Sequence, residues 1–125
     1  MRIVKFTAAN ALNELADMSD LDVDALTFGA IEMDESGKIM RYNSAEADIS
    51  GRDQEDMVGR NFFTDVAPCT NNYTFAGRFR EGVAEDSMDI QFSYVFDYQM
   101  SPTEVRVRIT GSRETGRYWV LVKRL

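Results

Sequence analysis

The sequence predicts an α+β domain built on an antiparallel sheet, and three patterns carry that reading. First, every second residue from Met88 to Met100 is apolar (Met88, Ile90, Phe92, Tyr94, Phe96, Tyr98, Met100), while Asp89, Gln91, Ser93, Val95, Asp97 and Gln99 between them are mostly polar. A period of two puts one face of a strand into a core. Second, Val105, Val107 and Ile109 repeat the alternation, and residues 118–122 form a last strand after a turn from Gly111 to Gly116. Third, residues 28–33 and 38–42 are two short strands around Asp34-Glu35-Ser36-Gly37, a polar hairpin loop that ends in glycine.

The remaining elements follow in order. Residues 1–27 are helical in character, with Leu12, Leu15 and Ala16 on one face. Ser19, with Asp22 three residues later, marks a helix start, because a serine oxygen there accepts an orphan amide hydrogen bond. Helices this short are unstable alone, so they are expected to pack as an N-terminal cap over the sheet formed within residues 28–125. Residues 43–65 carry Gly51, Gly59 and scattered polar side chains, which predict several short helical turns. Phe75, Phe79 and Val83 recur every four residues, an amphipathic helix that Asn72 or Thr74 could cap. Pro102 falls between strands, where its missing amide does no harm.

Composition narrows the functional classes. A chain of 125 residues is expected to be one domain with a substantial core. No apolar run is long enough for a membrane span and no signal-peptide pattern follows Met1, so a soluble, cytoplasmic monomer is expected. A formal charge of −7 argues against nucleic acid. The C-terminal cluster of Arg106, Arg108, Arg113, Arg117, Lys123 and Arg124 reads as a solvated face of alternating strands. With no histidine and one cysteine, a zinc or copper site is close to excluded. Residues 17–24 have the acidic density of a calcium loop but lack its turn glycine, and Phe28 stands where the twelfth-position glutamate belongs. They read as helix capping and solvated charge. No glycine loop that could cradle a phosphate is present.

The chemistry that remains centres on Cys69, in the run Phe62-Phe63-Thr64-Asp65-Val66-Ala67-Pro68-Cys69-Thr70. A lone thiol cannot form an internal disulfide, and without an imidazole it lacks the usual base of a hydrolytic nucleophile, so an enzyme is not expected. It is either a small buried hydrophobe or the carrier of a group. Tyr42 and Glu46 lie four apart, so a helical turn would bring a phenol and a carboxylic acid to one side. Two such donors suit a buried oxyanion. An exposed glutamate beside a half-buried tyrosine is the competing reading. Ser50 could support Tyr42, and Arg52 could screen a pocket or merely meet solvent. Phe96, Tyr98 and Met100 could line a pocket for a flat conjugated ligand or be plain core.

Several motifs together resemble the photoactive yellow protein family, blue-light receptors with the PAS fold. They are Phe28-Gly29-Ala30-Ile31, Tyr42-Asn43-x-Ala45-Glu46, Ile49-x-Gly51-Arg52-Asp53, the cysteine run from Asn61 to Thr70, Phe96-Asp97-Tyr98-Gln99-Met100 and Tyr118-Trp119-Val120. The cysteine run and the Phe-Asp-Tyr-Gln-Met run are specific to that family. The likeness extends from about Phe28 onward and more loosely over the N-terminal helices. It implies a single PAS-type photoreceptor domain over residues 1–125, with a central antiparallel five-stranded sheet flanked by helices. It further implies p-coumaric acid held as a thioester on Cys69 in its phenolate form, with Tyr42 and protonated Glu46 donating to the phenolate oxygen.

By the same resemblance Ser50 supports Tyr42, Arg52 shields the pocket and the Cys69 amide holds the pigment carbonyl. Ile31, Phe62, Val66, Phe96 and Tyr98 form the wall, and Met100 aids the thermal return. The family more often has threonine where Ser50 stands. A trans/cis isomerisation and proton transfer from Glu46 are then expected to drive a reversible photocycle with partial unfolding. The physical logic is that a buried carboxyl with no cation beside it stays neutral. Once deprotonated it is an unpaired buried charge that only opening of the fold can relieve. The marginally stable N-terminal helices are the part expected to loosen. No output domain is legible, so a separate signalling protein is the expected partner. The alternative is a PAS-type ligand or protein-interaction module without a pigment, in which Cys69 is inert.

Overall fold

A computed structural model describes residues 3–125; Met1 and Arg2, the first two residues of the expected cap, lie outside the described residues. The cap contains α1 (Ala11–Ala16) and α2 (Asp20–Asp24). Ser19 caps α2 as expected, its Oγ accepting from the Asp22 amide at 3.2 Å. The apolar face of α1 is Ala11 and Leu15, with Met18 beyond the helix; Ala16, expected on that face, is exposed. Ala11 and Leu15 are one turn apart, whereas Ala16 is rotated roughly 100° from Leu15 and points away from the sheet.

Five strands follow: β1 (Gly29–Met33), β2 (Ile39–Tyr42), β3 (Ser87–Phe96), β4 (Thr103–Ser112) and β5 (Arg117–Arg124). They form one antiparallel sheet in the order β2-β1-β5-β4-β3. Strand alternation divides the core in two. Val107, Val120 and Val122 face a cluster with Phe62, Phe63, Phe75, Phe79, Phe92 and Phe96. On the other side, Ala30, Trp119 and Leu121 are covered by Phe6, Ala11, Leu15, Met18 and Val23 of the cap, together with Phe28. The lid expected over the sheet is therefore present.

Two arginines on the cap side tie the layers together. Arg41 of β2 grips Glu32 of β1 through Nε (3.0 Å) and Nη2 (3.3 Å), and its Nη1 donates to the Met18 carbonyl (3.0 Å) and Asp20 (3.2 Å). Arg108 of β4 grips Asp89 of β3 at 2.8 and 2.7 Å, and its Nη1 donates to the Phe6 and Ala8 carbonyls at 2.9 and 2.7 Å. Arg108 is thus buried, a correction to the solvated basic face; Arg106 is half-buried, and Arg113, Arg117, Lys123 and Arg124 are exposed.

Two boundaries differ from the sequence reading. β3 ends at Phe96, because β4 supplies partners only from Thr103 to Ser112. Tyr98 and Met100 therefore lie in a turn, reversed through Gln99 at φ 53°, and the apolar alternation past Phe96 is not a strand. β4 runs through Gly111 and Ser112, so the turn is confined to residues 113–116. A β-carbon on Gly111 would collide with the Tyr118 ring opposite it.

Between β2 and β3 the chain makes α3 (Ser44–Ser50), α4 (Gln54–Met57), a π-helical turn (Phe62–Val66), a 3-10 turn (Pro68–Thr70), a second π-helical turn (Tyr73–Gly77) and α5 (Arg78–Val83). The succession of short helical pieces is as expected. Asn72 is the cap of the segment carrying Phe75 and Phe79, its side chain accepting from the Phe75 amide at 3.1 Å. No helix among the described residues is long and apolar enough to cross a membrane.

Candidate functional site

Asn43 builds the first half of the site. Its Oδ1 accepts from the amides of Glu46 (3.0 Å) and Ala30 (2.9 Å), and its Nδ2 donates to the carbonyls of Val23 (2.9 Å) and Phe28 (3.1 Å). One buried side chain thus caps α3 and locks it to β1 and to the cap. Functional reasoning from the sequence passed over it, although an asparagine just before a helical turn is a recognisable cap signal. The cap fixes the helical turn that places Glu46 in the interior beside Tyr42. Both are buried.

Gly29 of β1 makes the space for the carboxyl group: a β-carbon there would collide with Glu46 Oε1 and lie 3.2 Å from Glu46 Cβ. Glu46 Oε1 is itself buried, with no hydrogen-bond partner among the described residues. Burial pushes the Glu46 carboxyl up to about 8, against the opposing pull of the Arg124 charge and of the Tyr42 hydroxyl. Burial, and then the proximity of Glu46, also raise Tyr42 well above a free phenol. At neutral pH both groups therefore hold their protons. The Tyr42 and Ser50 hydroxyls are 2.7 Å apart, and Ser50 Oγ also accepts from the Arg52 amide at 3.2 Å.

The second half comes from the turns after α4. Asn61 caps the first π-helical turn through the amides of Phe63 (3.0 Å) and Thr64 (3.2 Å), and this turn buries Phe62, Phe63 and Val66. Cys69 follows in the 3-10 turn, half-buried and free. Arg52 is not an idle surface charge, and among the described residues it has no carboxylate partner. Its Nη2 donates to the carbonyls of Val66 and Tyr98, each at 3.1 Å, and its Nη1 to Gln99 Oε1 at 3.0 Å. Its guanidinium carbon sits 5.3 Å from the Tyr98 ring centre. Arg52 thus bolts the 97–100 turn to the segment before Cys69.

Ten of the eleven residues singled out from the sequence line one cavity: Tyr42, Glu46, Ser50, Arg52, Phe62, Val66, Cys69, Phe96, Tyr98 and Met100, joined by Ala67. Ile31 does not line it; it is fully buried in β1, paired with Tyr42 across the sheet. The free space is about 20 Å³, room for roughly one water. The arrangement offers a thiol, two buried proton donors and aromatic walls. No group of three or more metal-ligating side chains occurs among the described residues.

The family model described as the PAS fold matches residues 21–124. The photoactive yellow protein of Halochromatium salexigens is 51% identical over 125 residues, all of both chains. That of Rhodothalassium salexigens is 48% identical over the same full span of each. Among solved structures, the photoactive yellow protein domain from the sensor histidine kinase Ppr of Rhodospirillum centenum superposes with a TM-score of 0.84 at 46% identity, covering 90% of this chain and 98% of that one.

Proposed function

This chain belongs to the photoactive yellow protein family, and from that premise we propose that it is a blue-light photoreceptor carrying p-coumaric acid as a thioester on Cys69. The observation that carries the reading is the meeting of the one thiol with two protonated, buried donors, Tyr42 and Glu46, around a single cavity. The fit is chemical. Glu46 Oε1 is a buried polar atom without a partner, and such an atom is costly unless a bound group engages the carboxyl. When bound, the pigment supplies blue absorption and a trans/cis isomerisation about its double bond.

The residues divide the work. Cys69 Sγ holds the acyl group, and its backbone amide is the donor for the acyl carbonyl. The chain has no histidine, so the imidazole that usually serves as base in acyl turnover is missing. Ser50 Oγ accepts from the Arg52 amide, and either hydroxyl of the 2.7 Å Tyr42–Ser50 pair can donate; with pigment bound, Ser50 would give its proton to Tyr42 and leave the Tyr42 proton to the phenolate oxygen. Glu46 is the second donor and the one that gives up its proton after illumination. Its carboxylate is then a charge in the interior that the pull of Arg124 offsets only in part, and release of the cap helices relieves it. A separate protein would read the changed surface, and residues 1–125 would act as one photoreceptor domain.

The 20 Å³ of free space favours a second reading, a PAS-type module without pigment. A ring-sized guest fits only if the wall parts. The 97–100 turn is the part suited to do so, since Tyr98 is 36% exposed and Arg52 is its main tie. Treating the purified protein and Cys69→Ala with p-coumaric anhydride separates the two. Attachment forms the Sγ–acyl bond, breaks the acyl–oxygen bond and sends the thiol proton to the departing carboxylate. A yellow protein heavier by one p-coumaroyl group, with Cys69→Ala colourless, supports the photoreceptor. A colourless wild type, or equal labelling of the variant, overturns it.

A further inference from the structure

Tyr94, on β3 and outside the residues given a role above, reaches back across 25 positions to the attachment turn. Its hydroxyl donates to the Cys69 carbonyl at 2.6 Å. Asn72 Nδ2 donates to the same carbonyl at 3.1 Å and to Tyr94 Oη at 2.6 Å. An amide nitrogen can only donate, so the Tyr94 hydroxyl accepts from Asn72 and directs its own proton to Cys69. The opposite edge of that peptide plane is also held, because the Thr70 amide donates to the Ala67 carbonyl at 2.8 Å. Phe75 packs edge-on against the Tyr94 ring, with centroids 5.2 Å apart, and so steadies it.

The plane before Cys69 is held too, the Asn71 amide donating to the Pro68 carbonyl at 3.1 Å. With both planes that flank Cys69 held, the direction of its Cα–Cβ bond is set and rotation about that bond moves Sγ. We propose that Tyr94 and Asn72 are positioning residues that fix Cys69 as a rigid pivot for its acyl group. The functional part of this inference rests on the pigment reading above. Torque delivered at Sγ then passes through Tyr94 into β3 rather than being lost in a loose turn.

Two variants isolate the contact. Tyr94→Phe removes only the hydroxyl. Asn72→Asp keeps an oxygen for the Phe75 amide, and so the helix cap, but loses both Nδ2 donations. In the pigment-free protein, iodoacetamide should alkylate Cys69 about fivefold faster in Tyr94→Phe, the equilibrium worth of one net hydrogen bond, and at least as much faster in Asn72→Asp, which loses two. In the pigment-loaded protein each should lengthen the thermal return after a flash by a similar factor, a signature that a purely structural role would not move. Wild-type alkylation rates in both variants overturn the positioning role, whether or not pigment binds. Faster alkylation with an unchanged return time overturns the pivot role. A wild type that takes up no pigment counts against the photoreceptor reading and leaves the alkylation arm decisive.

Discussion

Gly29 and Glu46 share a space that no β-carbon on residue 29 could enter without striking the Glu46 carboxyl. The glycine is therefore what allows a carboxylic acid to lie against β1. Gly29→Ala must displace either the carboxyl or the strand, an overpacking cost of about 1–3 kcal/mol. Urea unfolding checks the cost, and the absorption maximum of the pigment-loaded variant should shift because the donor has moved. An unshifted band with wild-type stability would show that the crowding is easily relieved.

Stability should depend on pH through Glu46. Burial raises the folded-state value from 4.5 to about 8, so between those limits the native chain holds a proton that the unfolded chain has lost. The contribution is complete below about pH 4.5 and is lost as pH rises through about 8. Over that window it amounts to a few kcal/mol. Glu46→Gln in the pigment-free protein removes the titration and should flatten this part of the pH profile measured by denaturant unfolding. Equal slopes in the two proteins would remove Glu46 as the cause.

Arg108→Gln should loosen the cap. The substitution breaks the two-point contact with Asp89 and strands the carbonyls of Phe6 and Ala8. Because Asp89 is half-exposed, a loss of roughly 2–3 kcal/mol is expected, at the lower end for a broken buried pair. Trp119 is fully buried beneath the cap and reports the change. Its emission should move to the red while trypsin cuts at Lys5 sooner. Arg113, exposed beside Asp86 at 3.9 Å and bonded to the Ala84 carbonyl away from the cap, is the control; Arg113→Gln should leave both readouts near wild type.

Arg52→Ala should open the cavity rather than unfold the protein. The side chain is half-exposed; two of its three bonds hold the 97–100 turn and the third anchors it to the Val66 carbonyl. Labelling of Cys69 by p-coumaric anhydride should accelerate several-fold, with a stability change of about 1 kcal/mol. Slower labelling would mean that Arg52 guides the acid in rather than closing the way.

Much of this was legible in the chain. The period-two runs predicted the strands, Ser19 predicted the start of α2, and the four-residue spacing of Tyr42 and Glu46 anticipated their meeting. Other features were not. Met88 to Met100 alternates without a break, yet the strand ends at Phe96, because pairing depends on how far the neighbouring strand extends. The sequence placed Arg108 among solvated cations, and nothing local to it signals two carbonyls a hundred residues away.

By itself the sequence determined the class of fold, the presence of a single thiol and the four-residue spacing of phenol and carboxyl, because periodicity, residue chemistry and helical spacing are local properties. Tertiary structure alone decided that the Glu46 carboxyl is buried, which raises its pKa, and that Arg52 ties the 97–100 turn to Val66. It alone bound the Cys69 carbonyl to Tyr94. Burial, and the direction of a hydrogen bond, exist only once distant segments have been brought together.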